Sequence, residues 1–377
     1  MTARGRAIAI LTGLAIFVAG WAAFVAEWSG PAGAGPGGRG AVAGVRAADL
    51  DAFRDELLVW APGGFSEREI ARVRDSTWVA AISAVRTGLL PAVGGRRGYR
   101  VVPVEAMAVD PNAYTTATGR PGRKLVSMLP KGAVLSKTGA TLRRVKSGGR
   151  LRLDGDRTLR VSGVVDDALL GGYELALERN LARRYGIQRA AYLLVRPRGR
   201  VEGLQDEIRR LLKGRNVQFT TPGDRPFVRG GDGVLPLGLV KTRFGEFALP
   251  SLRRGRPDPA WTRANLVTRK VPLLGRVRCH RLVVDDLAKA MTELQRQRLG
   301  GLVNVAGFRR QGGCWSPGLL RDARGGKLSR HAWGIAVAFQ VTADERLVRT
   351  MAEHGFTWGG NFARPDGSHF EWVGRGS

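Results

Sequence analysis

Apolar and polar positions along this chain change period several times, and each change predicts an element. Ala7 to Ala26 is one apolar run without a charge, long enough for a helix to cross a bilayer core. Ser29 to Gly40 is then dominated by Gly, Pro and Ala, which predicts a flexible spacer. Helical spacing follows over Asp51–Leu58 and Glu67–Arg74. Trp78–Val85 and Tyr99–Val104 read as strands, and Leu142–Leu153 alternates on both sides of Gly148-Gly149 like a β-hairpin. Leu159–Val165 predicts another strand, Ala190–Val195 a buried one, and Val201–Leu212 an amphipathic helix. Pro250–Pro259, rich in Arg, Gly and Pro, reads as a surface crossing. Beyond it, Asp285–Leu299 places Leu287, Ala290, Met291 and Leu294 on one helical face, with Gly300-Gly301 as its glycine cap. Ile335–Val341 alternates as a strand, putting Ile335, Val337, Phe339 and Val341 on one face and Ala336, Ala338 and Gln340 on the other.

Composition adds a setting. With 377 residues, 44% hydrophobic and 25% charged, the chain is globular and long enough for two ordinary domains and a tether. Its net charge of +29, carried mostly by arginine, suits polyanionic surroundings: nucleic acid, anionic lipid or acidic wall polymers. Arg4 and Arg6 ahead of the apolar run keep that end in the cytoplasm, as a signal anchor or a cleaved signal peptide. Either way the bulk of the chain is exported, which argues against nucleic acid as a partner. In an exported chain the two cysteines, Cys279 and Cys314, predict a disulfide, with two buried thiols as the other reading.

The chemistry is concentrated near the C-terminus. Ser329-Arg330-His331-Ala332-Trp333-Gly334-Ile335-Ala336-Val337-Ala338 is followed by Trp358-Gly359-Gly360 and by Asp366-Gly367-Ser368-His369-Phe370-Glu371. This run resembles the D-alanyl-D-alanine carboxypeptidase family (VanY-like and VanX-like zinc peptidases), whose pattern is S-x-H-x-x-G-x-A-x-D, W-G-G-D, D/E-x-x-H-F-E. The resemblance covers roughly Leu266 to Gly374. It implies an α+β peptidase domain in which His331 and His369 hold zinc and Asp366 is the general base. A catalytic zinc takes three protein ligands and lowers the pKa of its water to about 7. The family's third ligand, an Asp, is replaced here by Ala338, and a methyl group cannot bind a cation.

Other positions depart as well. The Pro-Arg pair that precedes the first His in the family is Pro317-Gly318, leaving Arg321 nearby to hold a substrate carboxylate; Gln340 and Asn361 replace an Asn and an Asp. Glu371 is a candidate substitute ligand, because residues two apart on a strand share a face. Trp333 is the tryptophan expected to line the groove, whereas Trp315, Trp358, Trp372, His280 and His354 read as structural.

The middle of the chain closes a short strand on a serine (Leu135-Ser136), continues through a β-rich stretch, and reaches Gly163-Val164-Val165-Asp166. That order is similar to the extracytoplasmic domains of MacB-type and FtsX-type permeases; one predicted membrane helix does not imply transport. No histidine occurs in this region, so a histidine-dependent mechanism within it is excluded.

The predicted fold class is α+β: residues 1–28 as membrane anchor or signal peptide, 29–40 as linker, 41–240 as a mixed α/β extracytoplasmic module, and 260–377 as the VanY-like domain. The expectation is a single-pass cell-membrane protein facing the cell wall, a pseudoenzyme that recognises or weakly acts on peptidoglycan stem peptides. Two alternatives stand beside it: an active zinc carboxypeptidase or endopeptidase completed by Glu371, and an electrostatic binder of anionic wall polymers or lipid.

Overall fold

A long strand shared by two β-systems organises the first half of the molecule. The structure is a computed structural model describing residues 56–220, 235–252, 256–317, 319–320, 327–339, 344–362 and 365–374. The predicted membrane helix and spacer lie outside the described residues, among which no helix is long and apolar enough to cross a membrane. The elements of the module are β1 (Leu57–Phe65), α1 (Glu67–Arg74), β2 (Val79–Arg96), β3 (Tyr99–Val109), α2 (Pro111–Thr118), α3 (Arg120–Val126), β4 (Ala133–Ser136), α4 (Lys137–Arg143), β5 (Arg150–Leu153) and β6 (Arg157–Val165). They continue with β7 (Leu175–Glu178), α5 (Arg179–Arg183), β8 (Ala190–Pro197), α6 (Val201–Leu211) and β9 (Gln218–Thr220).

These strands form one nine-stranded sheet in the order β3-β7-β4-β6-β5-β2-β8-β1-β9, and β3 also pairs with β2. The extra pairing closes β2, β3, β7, β4, β6 and β5 into a ring, from which β8, β1 and β9 extend as an open wing. Alternate residues of the ring strands, including Leu90, Val104, Leu135, Leu153, Val161 and Leu177, meet in one apolar cluster. In the wing, Leu57 and Val59 pack with α1 and α6, whereas Leu58 and Trp60 join the cluster that includes α2 and α3. Burial on both faces explains why Leu57-Leu58-Val59-Trp60-Ala61 reads as an unbroken apolar run. Leu57 and Leu58, expected in a helix, therefore open a strand; residues 51–55 of that expected helix lie outside the described residues.

Local chemistry sets the helix ends. Ser66 and Glu69 form a reciprocal capping box at the start of α1. Ser136 caps α4, its Oγ accepting the Gly139 N–H. Helix α4 ends at Arg144 in the left-handed conformation, φ 52°. It takes up residues expected in the first strand of a hairpin, so the real hairpin is β5–β6, closed across Leu153↔Arg157.

The C-terminal part contains α7 (Leu237–Phe244), α8 (Pro259–Asn265), the β10–β11 hairpin (Leu266–Val271 and Gly275–His280), α9 (Val284–Arg296) and α10 (Val305–Arg310). A two-residue pair, β12 (Leu319–Leu320) and β13 (Lys327–Leu328), precedes β14 (Ala336–Ala338), α11 (Glu345–Glu353), β15 (Phe356–Trp358) and β16 (His369–Trp372). The last sheet has the antiparallel order β14-β16-β15. Helix α9 buries the predicted face but ends before Gly300-Gly301. Arg298, φ 59°, takes the left-handed position, and the Leu299 N–H bonds the Leu294 carbonyl in a Schellman closure.

Residues 235–249, where the sequence suggested a boundary at 240, belong to both halves. On the module side, Lys241 Nζ lies 2.8 and 2.9 Å from the two Glu174 carboxylate oxygens and donates to the Pro103 carbonyl at 2.5 Å. Leu249 and Val101 exchange backbone hydrogen bonds at 2.7 and 3.0 Å. On the other side, Arg243 Nη1 donates to the Val373 carbonyl at 2.5 Å, and its guanidinium lies 4.7 Å from the Trp372 ring centroid. Phe247 packs on Trp261 and Trp333, at 5.0 and 4.6 Å between centroids. Asp258 continues the seam with a two-point ion pair to Arg96, 2.7 Å at each contact. All these residues fall in one compact unit.

Lys241 and Glu174 are each about 1% exposed at the side chain. Burial pushes the lysine pKa down to about 8, against the pull of Glu174, so the amine still carries its proton at neutral pH. Lys241→Ala is expected to destabilise the protein by about 3–5 kcal/mol, because it strands a buried carboxylate. The double variant Lys241→Met/Glu174→Leu should recover most of that loss. Urea unfolding of the three proteins checks this, and additive losses in the double variant would refute it.

Candidate functional site

His331 lies in a 3-10 turn, Arg330–Trp333, whose N-cap is Ser329. The His331 N–H donates to Ser329 Oγ at 3.2 Å. Gly334 closes the turn at φ 69°, where a Cβ would come within 2.8 Å of the His280 backbone nitrogen. The side chain is fixed as firmly as the backbone. Its Nδ1 is 3.2 Å from the Cys314 carbonyl, and since a carbonyl only accepts, Nδ1 carries the proton and Nε2 keeps its lone pair. Cys314 is disulfide-bonded to Cys279 of β11, as predicted, 35 residues earlier in the chain. A bridge over a loop of that length stabilises by about 3–4 kcal/mol in the chain-entropy account. It also anchors the carbonyl that selects the His331 tautomer.

His369 opens β16, and its ring centroid is 5.2 Å from that of His331. The Trp-Gly-Gly turn makes this approach possible: a Cβ on Gly359 would lie 2.5 Å from the Asp366 carbonyl oxygen and 2.9 Å from that of His369. Asp366 is exposed, and its Oδ1 accepts from the Ser368 N–H at 3.0 Å and from Ser368 Oγ at 2.8 Å.

The register of β14 on β16 places Ala338 relative to the histidines. Ala338 pairs directly with His369, and Ala336 with Glu371. Directly opposed residues of an antiparallel pair project to the same face, with Cβ atoms about 4.5–5.5 Å apart. The Ala338 methyl therefore stands on the same sheet face as His369, and it is buried, 3% exposed. Glu371 shares that face but lies 3.4 Å from His369 Nε2 through Oε1, steering the ring.

A catalytic zinc does not fit this donor set. Among the described residues no group of three or more His, Cys, Asp or Glu side chains is arranged to hold a metal ion. Trp333 is 1% exposed and donates its indole N–H to the Gly245 carbonyl at 2.9 Å, so its ring faces the seam with α7 and no open groove. Arg321 and Gln340 lie outside the described residues. His280 is structural: Nε2 bonds the Phe244 carbonyl and Nδ1 accepts the Leu282 N–H, each at 3.2 Å. His354 caps α11 through its backbone N–H.

Two neighbours escaped the reading of the sequence. Arg330, buried beside His331, donates through Nη2 to the Leu235 carbonyl at 2.9 Å and ties the histidine turn to the segment entering α7. The Cys314 carbonyl orients His331. A backbone acceptor carries no signal in a sequence, but a charged residue next to a ligand histidine could have marked Arg330.

Residues 323–372 match the model of a family described as D-alanyl-D-alanine carboxypeptidase, which places the two histidine motifs in a peptidase-like domain. No curated protein matches the chain. Among solved structures, the chain is similar to the periplasmic region of MacB from Actinobacillus actinomycetemcomitans. The identity is 13% and the TM-score 0.33, over 46% of this chain and 91% of that one. It is also similar to the extracellular domain of the ABC-type transporter YknZ from Gram-positive bacteria, with 14% identity and a TM-score of 0.32 over 44% of this chain and 99% of that one. The family match falls within the stretch from which the carboxypeptidase resemblance was read.

Burial holds the pKa of both His280 and His331 at about 4, well below the usual imidazole range. Between about pH 4 and 6.5 the unfolded chain therefore binds more protons at these sites than the folded one, and stability falls as pH drops through that window. The urea midpoint should decrease from pH 7 to pH 5, and His280→Gln should narrow that difference. An unchanged difference in the variant would contradict the assignment of His280.

Proposed function

We propose that the chain is an exported, membrane-tethered cell-wall protein whose C-terminal domain recognises peptidoglycan stem peptides without hydrolysing them. The observation carrying this reading is the pairing of Ala338, which stands at the aspartate position of the family pattern, with His369. The match of residues 323–372 to a D-alanyl-D-alanine carboxypeptidase family supports the stem peptide as the ligand class. The charge of +29 and the apolar run Ala7–Ala26 support a place at the outer face of the membrane, beside anionic wall polymers.

The parts that remain have a use in recognition. His331, neutral at physiological pH, presents the Nε2 lone pair as a hydrogen-bond acceptor. His369 is steered by Glu371, and the exposed Asp366 carboxylate supplies a negative charge at the rim. Acceptors and an anion suit the amide N–H groups of a peptide. A peptidase also needs a means of polarising the scissile carbonyl and activating water, and the described donor set offers no three-ligand metal site for it.

Zinc analysis of the purified full-length chain tests the reading. The native protein should hold far less than one zinc per chain and release no D-alanine from a stem pentapeptide. Ala338→Asp should raise the zinc content to about one per chain, since it restores a three-ligand set. The native chain should still bind the pentapeptide in a calorimetric titration. About one zinc in the native protein, lost in His369→Ala and accompanied by D-alanine release, would overturn the proposal and favour an active enzyme.

A further inference from the structure

Away from the histidines, the module contains a cavity of about 220 Å³ between α1, β2 and the first turns of α2 and α5. Glu67, Ile70 and Arg74 recur along one face of α1 at helical spacing, while Ile82, Ala84 and Arg86 alternate along β2 toward the same space. Arg179, the first residue of α5, closes the third side.

The charges here are unevenly matched. Arg86 is buried, its side chain 4% exposed, and it points into the cavity from a position where the strand pattern calls for an apolar residue. Its Nη2 lies 2.5 Å from Glu67 Oε1, and Nη1 bonds the Ala84 carbonyl at 3.4 Å. Glu67 is 60% exposed at the side chain and also takes Arg179 at 3.5 Å. Burial raises the Glu67 carboxyl, but the hydrogen bond and charge of Arg86, with Arg179 and Arg74 behind it, bring it below the usual carboxylate range. Asp110, the other acid on the wall, is committed to capping α2 through the Ala113 N–H at 3.0 Å. Three arginines thus act on one largely exposed carboxylate.

We infer that this cavity is a binding site for the acidic head of a small organic anion, a phosphate or carboxylate on a short apolar stem, which displaces the Glu67 side chain from Arg86, Arg179 and Arg74. Guanidinium groups bind both acids in two-point geometry. Ile70 and Ile82 supply the apolar wall against which the stem packs. A cavity of about 220 Å³ suits a head group and a short stem. Displacement requires only the rotation of one exposed side chain, whereas the buried Arg86 stays in place.

Calorimetric titration of the full-length chain at fixed ionic strength tests this, with propyl phosphate, butyrate and the neutral butyramide as probes. At least one of the two anions should bind saturably and butyramide should not; which anion binds more tightly identifies the source of the acidic group. Glu67→Gln removes the competing carboxylate and should tighten binding about tenfold, while Arg179→Gln should weaken it about fivefold, as expected for charges in contact with the ligand. Arg150→Gln, an exposed change on β5 with the same effect on net charge, should leave affinity as it was. Tightening by loss of an acidic residue is not expected from a structural role, and thermal melts confirm that each variant folds. The inference fails if neither anion saturates, if butyramide binds equally, if Arg150→Gln weakens binding as much as Arg179→Gln, or if Glu67→Gln binds no more tightly.

Discussion

A buried ammonium group lies at the centre of the seam between the two halves of this molecule. Lys241 reaches from α7 to both oxygens of Glu174 and to the Pro103 carbonyl, at the mouth of the closed strand ring. Isolated, either charge would be intolerable there, and the pair is stable only because every donor meets an acceptor. Arg143 and Glu246 extend the network by a second buried contact. Once Lys241 is fixed, α7 has one orientation, and Arg243, Phe244 and the Gly245 carbonyl are presented to the C-terminal part. The Phe244 carbonyl meets His280, and Trp333 meets Gly245. The histidine turn is thus positioned from the module as well as from its own sheet.

At the histidines, the contacts that orient each ring come from different parts of the chain. The disulfide fixes Cys314, the Cys314 carbonyl fixes the proton of His331, and Glu371 steers His369. Such outer contacts are what a metal site uses to aim its ligands. Here they surround two histidines, with the Ala338 methyl paired to His369.

Much of this was legible in the sequence, for identifiable reasons. Helix α1 was readable because Ser66 and Glu69 carry their own start signal, and α9 because its apolar face has a clean helical period. The strand character of Ala336–Ala338 was readable from its alternation, and its pairing with β16 sets Ala338 opposite His369. The errors have separate causes: two-layer burial erases periodicity, so Leu57 and Leu58 looked helical, while an arginine at a left-handed cap position hid the end of α9 behind two adjacent glycines. The Lys241–Glu174 pair joins residues 67 apart in sequence, and no local pattern signals a contact over that distance. The direction of Trp333 was decided by Phe247 on another element.

Strand β2 carries a further consequence. Its first half pairs with β8 in the open wing, and its second half closes the ring through β3 and a single contact, Ala92↔Leu153, with β5. One continuous backbone therefore serves two sub-assemblies, and neither can settle while the other is wrongly registered, because a shift of one residue would turn both apolar faces over together. The β3 pairing is local, but β8 lies about a hundred residues further along, so β2 cannot complete its neighbours until most of the module is present.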